Sequence, residues 1–146
     1  QTSRYLSVCS VKEDRVLDTS DKCGNYLTQH FHNVGNEMVY LLCLDAKRSV
    51  IGCYKIAEGG PTSTSVSSRK LIDIAISSKA ASVVLAHNHP GGLALPSPED
   101  MDLTFDLAKI LHAVGVVLAD HVVVADDDYI SMFTSNLYRP ERILEE

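Results

Sequence analysis

Residues 81–100 read Ala81-Ser82-Val83-Val84-Leu85-Ala86-His87-Asn88-His89-Pro90-Gly91-Gly92-Leu93-Ala94-Leu95-Pro96-Ser97-Pro98-Glu99-Asp100. Within the apolar run Ala81 to Ala86, Ser82 to Ala86 is the predicted strand, and the glycines and prolines after it predict a loop. Ser97-Pro98-Glu99-Asp100 then opens a helix: Ser97 as N-cap, Pro98 at N1, and acids in the first turn against the positive end of the helix dipole. In extended backbone, residues i and i+2 point to one side, so His87 and His89 can aim both imidazoles at one point. Asp100, about a turn into the helix, can bring a carboxylate there. Two histidines, a carboxylate and an open fourth position make a catalytic zinc arrangement. Singly, each piece is ordinary. A His-x-His pair is weak evidence for metal, and a helix start explains Ser97 and most of Asp100. The joint spacing, H-x-H-x(7)-S-x(2)-D, favours metal ligation.

Working outward, Met38 to Leu44 is almost wholly apolar and predicts a strand buried on both faces. Asp45 to Arg48 is a polar turn, and Ser49 to Ala57 returns as a hairpin partner, broken by Glu58-Gly59-Gly60-Pro61. Ser67-Ser68 caps a helix to about Ser78. The helix from Pro98 runs to about Ala113, with Gly115 as its C′ residue; its apolar residues cover more than one stripe, so it packs on more than one side. Val116 to Ala125 is a further strand, paired through the Asp126-Asp127-Asp128 turn with Tyr129 to Phe133. The three acids lack the spacing of a calcium loop and read as a solvated turn. Upstream, Tyr5 to Val11 alternates like a half-buried strand, and Asp18-Thr19-Ser20-Asp21 caps a helix to about His32. His30 and His32 read as packing or surface histidines. The order is hairpin, helix, strand, helix, hairpin: an α/β chain with a mixed sheet and helices packed on it.

The chain has 146 residues, long enough for one domain with a real core. Its 45% hydrophobic and 22% charged residues are ordinary globular composition. A net charge of −6 makes direct DNA binding by this domain unlikely. No apolar run approaches the ~18 residues of a membrane span. The polar start shows no signal-peptide pattern, and the missing initiator Met leads us to expect a fragment of a longer protein. Cys9, Cys23, Cys43 and Cys53 form no C-x-x-C pair; Cys43 and Cys53 sit in strand-like runs and read as core. We therefore expect a reducing, cytoplasmic location.

The H-x-H-x(7)-S-x(2)-D spacing is the core of the JAMM motif of the JAB/MPN metalloprotease clan. HNHPGG, PSPED and the later Asp120-His121 resemble its bacterial RadC-like branch, with Gly91 standing where that branch usually has Ser. The resemblance covers roughly residues 37–132. It implies an MPN-type α/β fold, related in architecture to cytidine deaminases, with the metal at the end of the central strand. The deaminase signature itself, H-x-E with P-C-x-x-C, does not occur. On this basis the chain divides into an N-terminal extension packed on the domain, 1–36, a RadC-like JAB/MPN metal-binding domain, 37–135, and a C-terminal tail, 136–146.

The resemblance also implies a zinc-dependent hydrolase of peptide or isopeptide bonds. Zn2+ would be held by His87, His89 and Asp100, with Ser97 steadying the oxyanion and an upstream glutamate as general base. Glu37, ahead of the buried strand, and Glu58, beside two glycines, both qualify. A base on a rigid element is better positioned, and the family pattern of a glutamate ahead of a strand ending in Leu-Asp fits Glu37 with Leu44-Asp45. His121 is either a further ligand or a pocket-lining residue that orients substrate or a ligand, and the motif's own three ligands favour an orienting role, or plain packing, over direct ligation. Arg69 matches an arginine common in RadC-like chains, without a defined role. The competing readings are a DNA-repair-associated module and a non-enzymatic scaffold with a vestigial or structural metal site. No helix-hairpin-helix region is evident in residues 1–36. The expected partner is a peptide or protein substrate; its identity and the oligomeric state stay open.

Overall fold

Apolar segments at the centre of the chain pair into one five-stranded mixed sheet in the computed structural model, which describes residues 15–59 and 66–145. We label the elements α1 (Ser20–His30), β1 (Met38–Leu44), β2 (Val50–Glu58), α2 (Ser68–Ser77), β3 (Ser82–Asn88), α3 (Pro98–Ala113), β4 (Val117–Ala125), β5 (Asp128–Ser131) and a final 3-10 helix (Pro140–Glu145). The strand order is β2-β1-β3-β4-β5. Pairing is antiparallel except between β3 and β4, which run parallel. A parallel pair needs a crossover, and α3 provides it. The predicted strand at Tyr5 to Val11 lies outside the described residues.

Both faces of the sheet are covered, so its inner strands carry runs rather than alternations of apolar residues. On one face, Leu41, Val83, Leu85 and Leu118 pack with Leu71 and Ile74 of α2 and with Leu103, Leu107 and Leu111 of α3. On the other, Leu42, Val84, Ala86, Val122 and Val124 pack with Cys23 and Leu27 of α1, and with Leu17 and Phe31. Cys23, Cys43 and Cys53 are buried. Helix α1 therefore completes the core on its side of the sheet. His30 packs edge-on against Tyr40, with ring centroids 4.7 Å apart; burial lowers its pKa.

The helix starts follow local chemistry. Thr19, Ser67 and Ser97 are the N-caps of α1, α2 and α3, each side chain accepting a main-chain N–H of the first turn. Asp120, buried on β4, accepts from the Ser131 hydroxyl and the main-chain N–H groups of His121 and Phe133. It thereby ties the turn after β5 back to the sheet.

Gly24 lies inside α1 beneath the ring of Tyr129, whose hydroxyl donates to Asp21 at 2.7 Å. A Cβ at Gly24 would overlap that ring. Helix propensity alone favours Ala over Gly by about 1 kcal/mol, whereas overpacking costs about 1–3 kcal/mol. Gly24→Ala is therefore expected to lower stability, and in a Tyr129→Ala background the same change is expected to raise it. Urea unfolding of the four proteins in this cycle checks the reversal of sign; stabilisation by Gly24→Ala in the wild-type background would contradict the packing.

Candidate metal centre

Strand β3 delivers the two histidines. Val83, Leu85 and His87 face α2 and α3, and His87 is fully buried. His89 follows the strand end, yet its N–H still bonds Val124 of β4 at 2.8 Å, so the extended path continues past Asn88. The same-side geometry expected for i and i+2 is present: the Nε2 atoms of His87 and His89 are 2.9 Å apart. His89 is steadied by its other nitrogen, Nδ1, 2.9 Å from the Leu93 carbonyl. Gly91 bends the loop with φ +71°, a conformation that glycine takes at little cost.

Helix α3 brings the carboxylate. Ser97 and Asp100 form a capping box: the Ser97 hydroxyl accepts from Asp100 N at 3.1 Å, and Asp100 Oδ2 accepts from Ser97 N at 2.7 Å. The same carboxylate places Oδ1 3.3 Å from His87 Nε2 and Oδ2 3.7 Å from His89 Nε2. Burial pushes the Asp100 pKa up, but the hydrogen bond and charge of His87 and the Ser97 N–H outweigh it. The net value is well below the usual carboxylate range.

His87, His89 and Asp100 thus offer one ligand atom each, all within 4.8 Å of one another. They form the one group of three or more His, Cys, Asp or Glu side chains so arranged among the described residues. The donor set fits a metal ion. A four-coordinate ion with bonds of ~2.0–2.1 Å spaces its ligand atoms about 3.3 Å apart; the two Nε2 atoms are 2.9 Å apart, His87 Nε2 is 3.3 Å from Asp100 Oδ1, and His89 Nε2 is 3.7 Å from the other oxygen, Oδ2.

A sequence model of the RadC-like JAB domain matches residues 17–137. The chain belongs to the RadC-like JAB family. Relatives of this RadC-like JAB domain include UPF0758 proteins from three bacteria. That of Alcanivorax borkumensis is 36% identical, covering 88% of this chain and 57% of its own. That of Pseudomonas syringae pv. tomato is 34% identical, with 88% and 57% covered. That of Shewanella pealeana is 33% identical, with 86% and 56% covered. The chain spans a little over half the length of the curated relatives it matches.

The remaining residues singled out in the sequence fall in different places around this RadC-like centre. Ser97 is half-buried at the helix cap. Glu37 directly precedes β1 and is half-buried. Val39 pairs with His87, so Glu37, two residues before Val39, lies toward the end of the sheet where β3 leads into His89, and its main-chain oxygen accepts the Gly59 N–H at 2.9 Å. Glu58 pairs with Met38, which packs with the α1 side of the core, and its carboxylate bridges Lys55 at 3.3 Å. Arg69 is exposed in the first turn of α2. His121 stands outside the three-ligand group but touches it, Nε2 lying 2.8 Å from His87 Nδ1. Burial, then the charge of His87, lowers the His121 pKa well below its ordinary value. Behind it sits Thr104, fully buried, which sequence reasoning missed. The available signal was its position four residues after Asp100, on the same face of the helix.

Asp100 caps a helix and faces the histidines, and Asp100→Asn separates the two roles. The amide keeps an oxygen for the Ser97 N–H but loses the charge. Metal-free stability is expected to fall by about 1 kcal/mol or less. Affinity for a divalent ion, with zinc as the probe, is expected to fall by well over ~10-fold. Melting with and without chelator, alongside chelator competition, checks this; unchanged affinity would leave Asp100 a capping residue only.

Proposed function

We propose that this domain is a zinc-dependent hydrolase of peptide or isopeptide bonds. The observation that carries the reading is the convergence of His87 Nε2, His89 Nε2 and the Asp100 carboxylate at the end of β3, in a chain of the RadC-like JAB family. Three protein ligands leave room for a fourth, as hydrolytic zinc sites require. When bound there, zinc supplies Lewis acidity and brings the pKa of a water that it holds down to about 7.

The chain's own residues supply the rest. Glu37 is the general base: its carboxylate takes a proton from the attacking water and returns it to the leaving nitrogen. Glu37 is supported by its place two residues before Val39, the β1 partner of His87, whereas Glu58 pairs with Met38, which packs on the α1 side. The Ser97 oxygen accepts the Asp100 N–H, and a hydroxyl that accepts still has its proton to donate; we assign that proton to the oxyanion. Leu93 and Leu95, 72% and 57% exposed on the loop that joins His89 to Ser97, offer apolar contact to a peptide chain. The net charge of −6 argues against duplex DNA as the ligand.

Two measurements test this. Zinc content is expected near one ion per chain and lost in the His87→Ala, His89→Ala double variant; equal content in both proteins would end the proposal. With a substrate found by peptide and isopeptide library screening, Glu37→Gln is expected to keep fold and zinc while turnover falls by roughly 10²–10⁴-fold, and Glu58→Gln to stay near wild type. The reverse pattern would move the base to Glu58, and full activity in both would remove the water-activating scheme.

For DNA, a fluorescence titration at physiological salt is expected to show no more binding than to a generic acidic protein. A salt-sensitive, sub-micromolar affinity would revive the DNA-repair reading.

A further inference from the structure

Behind the ligand group, three short contacts run in series through buried side chains. His87 Nδ1 lies 2.8 Å from His121 Nε2. His121 Nδ1 lies 2.6 Å from Thr104 Oγ1. Thr104 Oγ1 lies 2.6 Å from the main-chain oxygen of Asp100. We propose that Thr104 and His121 form a relay that sets the tautomer of His87, so that its Nε2 carries a lone pair toward the metal. Both are positioning residues, and the inference rests on the metal-site reading above.

Proton counting decides the direction. With a cation shared by His87, His89 and Asp100 on the Nε2 side, each of the three links behind it, 2.6–2.8 Å long, requires a hydrogen. The Asp100 carbonyl can only accept, so the single Thr104 hydroxyl proton goes there, the i−4 bond that threonine readily makes in a helix. The Thr104 oxygen must then accept, so His121 carries its hydrogen on Nδ1. A neutral His121 presents a lone pair at Nε2, and His87 donates to it from Nδ1. The lone pair of His87 is left on Nε2, the atom 2.9 Å from His89 Nε2 and 3.3 Å from Asp100 Oδ1. Reversing the order leaves the 2.6 Å oxygen–oxygen contact without a proton. It also places a hydrogen on His87 Nε2, which blocks ligation.

His89 is set separately. The Leu93 carbonyl takes its Nδ1 hydrogen and leaves Nε2 as the donor atom. Two lone pairs then face each other across 2.9 Å, a contact that a shared cation turns from repulsive to favourable. Asp100 holds both ends of the circuit, with its carboxylate in the ligand group and its carbonyl at the end of the relay.

The test compares Thr104→Val, which replaces the hydroxyl with a methyl of similar shape, and Thr104→Ser, which keeps it. Zinc affinity is measured by chelator competition on the full chain. Ring protonation is read from two-bond proton–nitrogen spectra of the zinc-loaded protein. The valine variant is expected to bind zinc about 10–100-fold more weakly and to lose the Nδ1-protonated form of His121. The serine variant is expected to keep both properties. A purely structural Thr104 would lower the melting temperature of the metal-free valine variant while leaving affinity and tautomers unchanged, and that result overturns the relay. Protonation of wild-type His121 on Nε2 overturns it equally, and decides the matter if the valine variant does not fold. Failure of the wild type to take up zinc removes the metal-site reading itself. Normal uptake by both wild type and valine variant removes the relay alone.

Discussion

Asp100 is a carboxylate only 1% exposed, held between the start of a helix and two imidazoles. Burying such a group is costly unless it is paired and hydrogen-bonded. Here the Ser97 N–H supplies the hydrogen bond and His87 and His89 lie within 4 Å. The helix start and the candidate metal centre are therefore one arrangement. Ser97 and Pro98 define where α3 begins, the capping box orients the Asp100 side chain, and that orientation places an oxygen at the histidines. A shift of the helix start by one residue would turn the carboxylate by about 100° around the helix axis and away from them.

The sheet supplies the other half of the constraint. Because β3 and β4 run parallel, α3 must cross between them, and its first turn starts close to where β3 ends. Sites in open α/β sheets gather at the carboxyl ends of strands for this reason. The bond from His89 N to Val124 O holds the backbone extended one residue beyond β3, which keeps both imidazoles on one side. The β1–β3 register brings the approach to β1, with Glu37, toward the same end of the sheet.

Much of this was legible in the residues. The apolar run Met38 to Leu44 and the helix from Pro98 to Ala113 have in the structure the bounds that pattern and capping chemistry predict. Period, cap residues and turn residues are local signals, and these elements obey them. The convergence of His87, His89 and Asp100 was legible because the loop between His89 and Ser97 is short, so that spacing along the chain stands in for distance in space. The departures are at the ends. Strand β3 runs to Asn88, past the apolar run that signalled it, because β1 and β4 flank it and satisfy its backbone. Helix α1 stops at His30 rather than His32.

What lies behind that group was not legible in this way. Thr104 reads as an unremarked helical residue until its hydroxyl is seen 2.6 Å from His121 Nδ1. His121 is 34 positions from His87 in the chain, and the contact between them follows from parallel pairing of β3 with β4. For the two glutamates, the sequence favours Glu37 over Glu58, and strand pairing adds that Glu58 lies opposite Met38, which packs on the α1 side. The sequence by itself determined the α/β class, the helix starts and the His87-His89-Asp100 set, all of which depend on neighbours a few residues apart. Tertiary structure decided which polar groups stand behind that set, because those contacts depend on pairings between strands that no local pattern encodes.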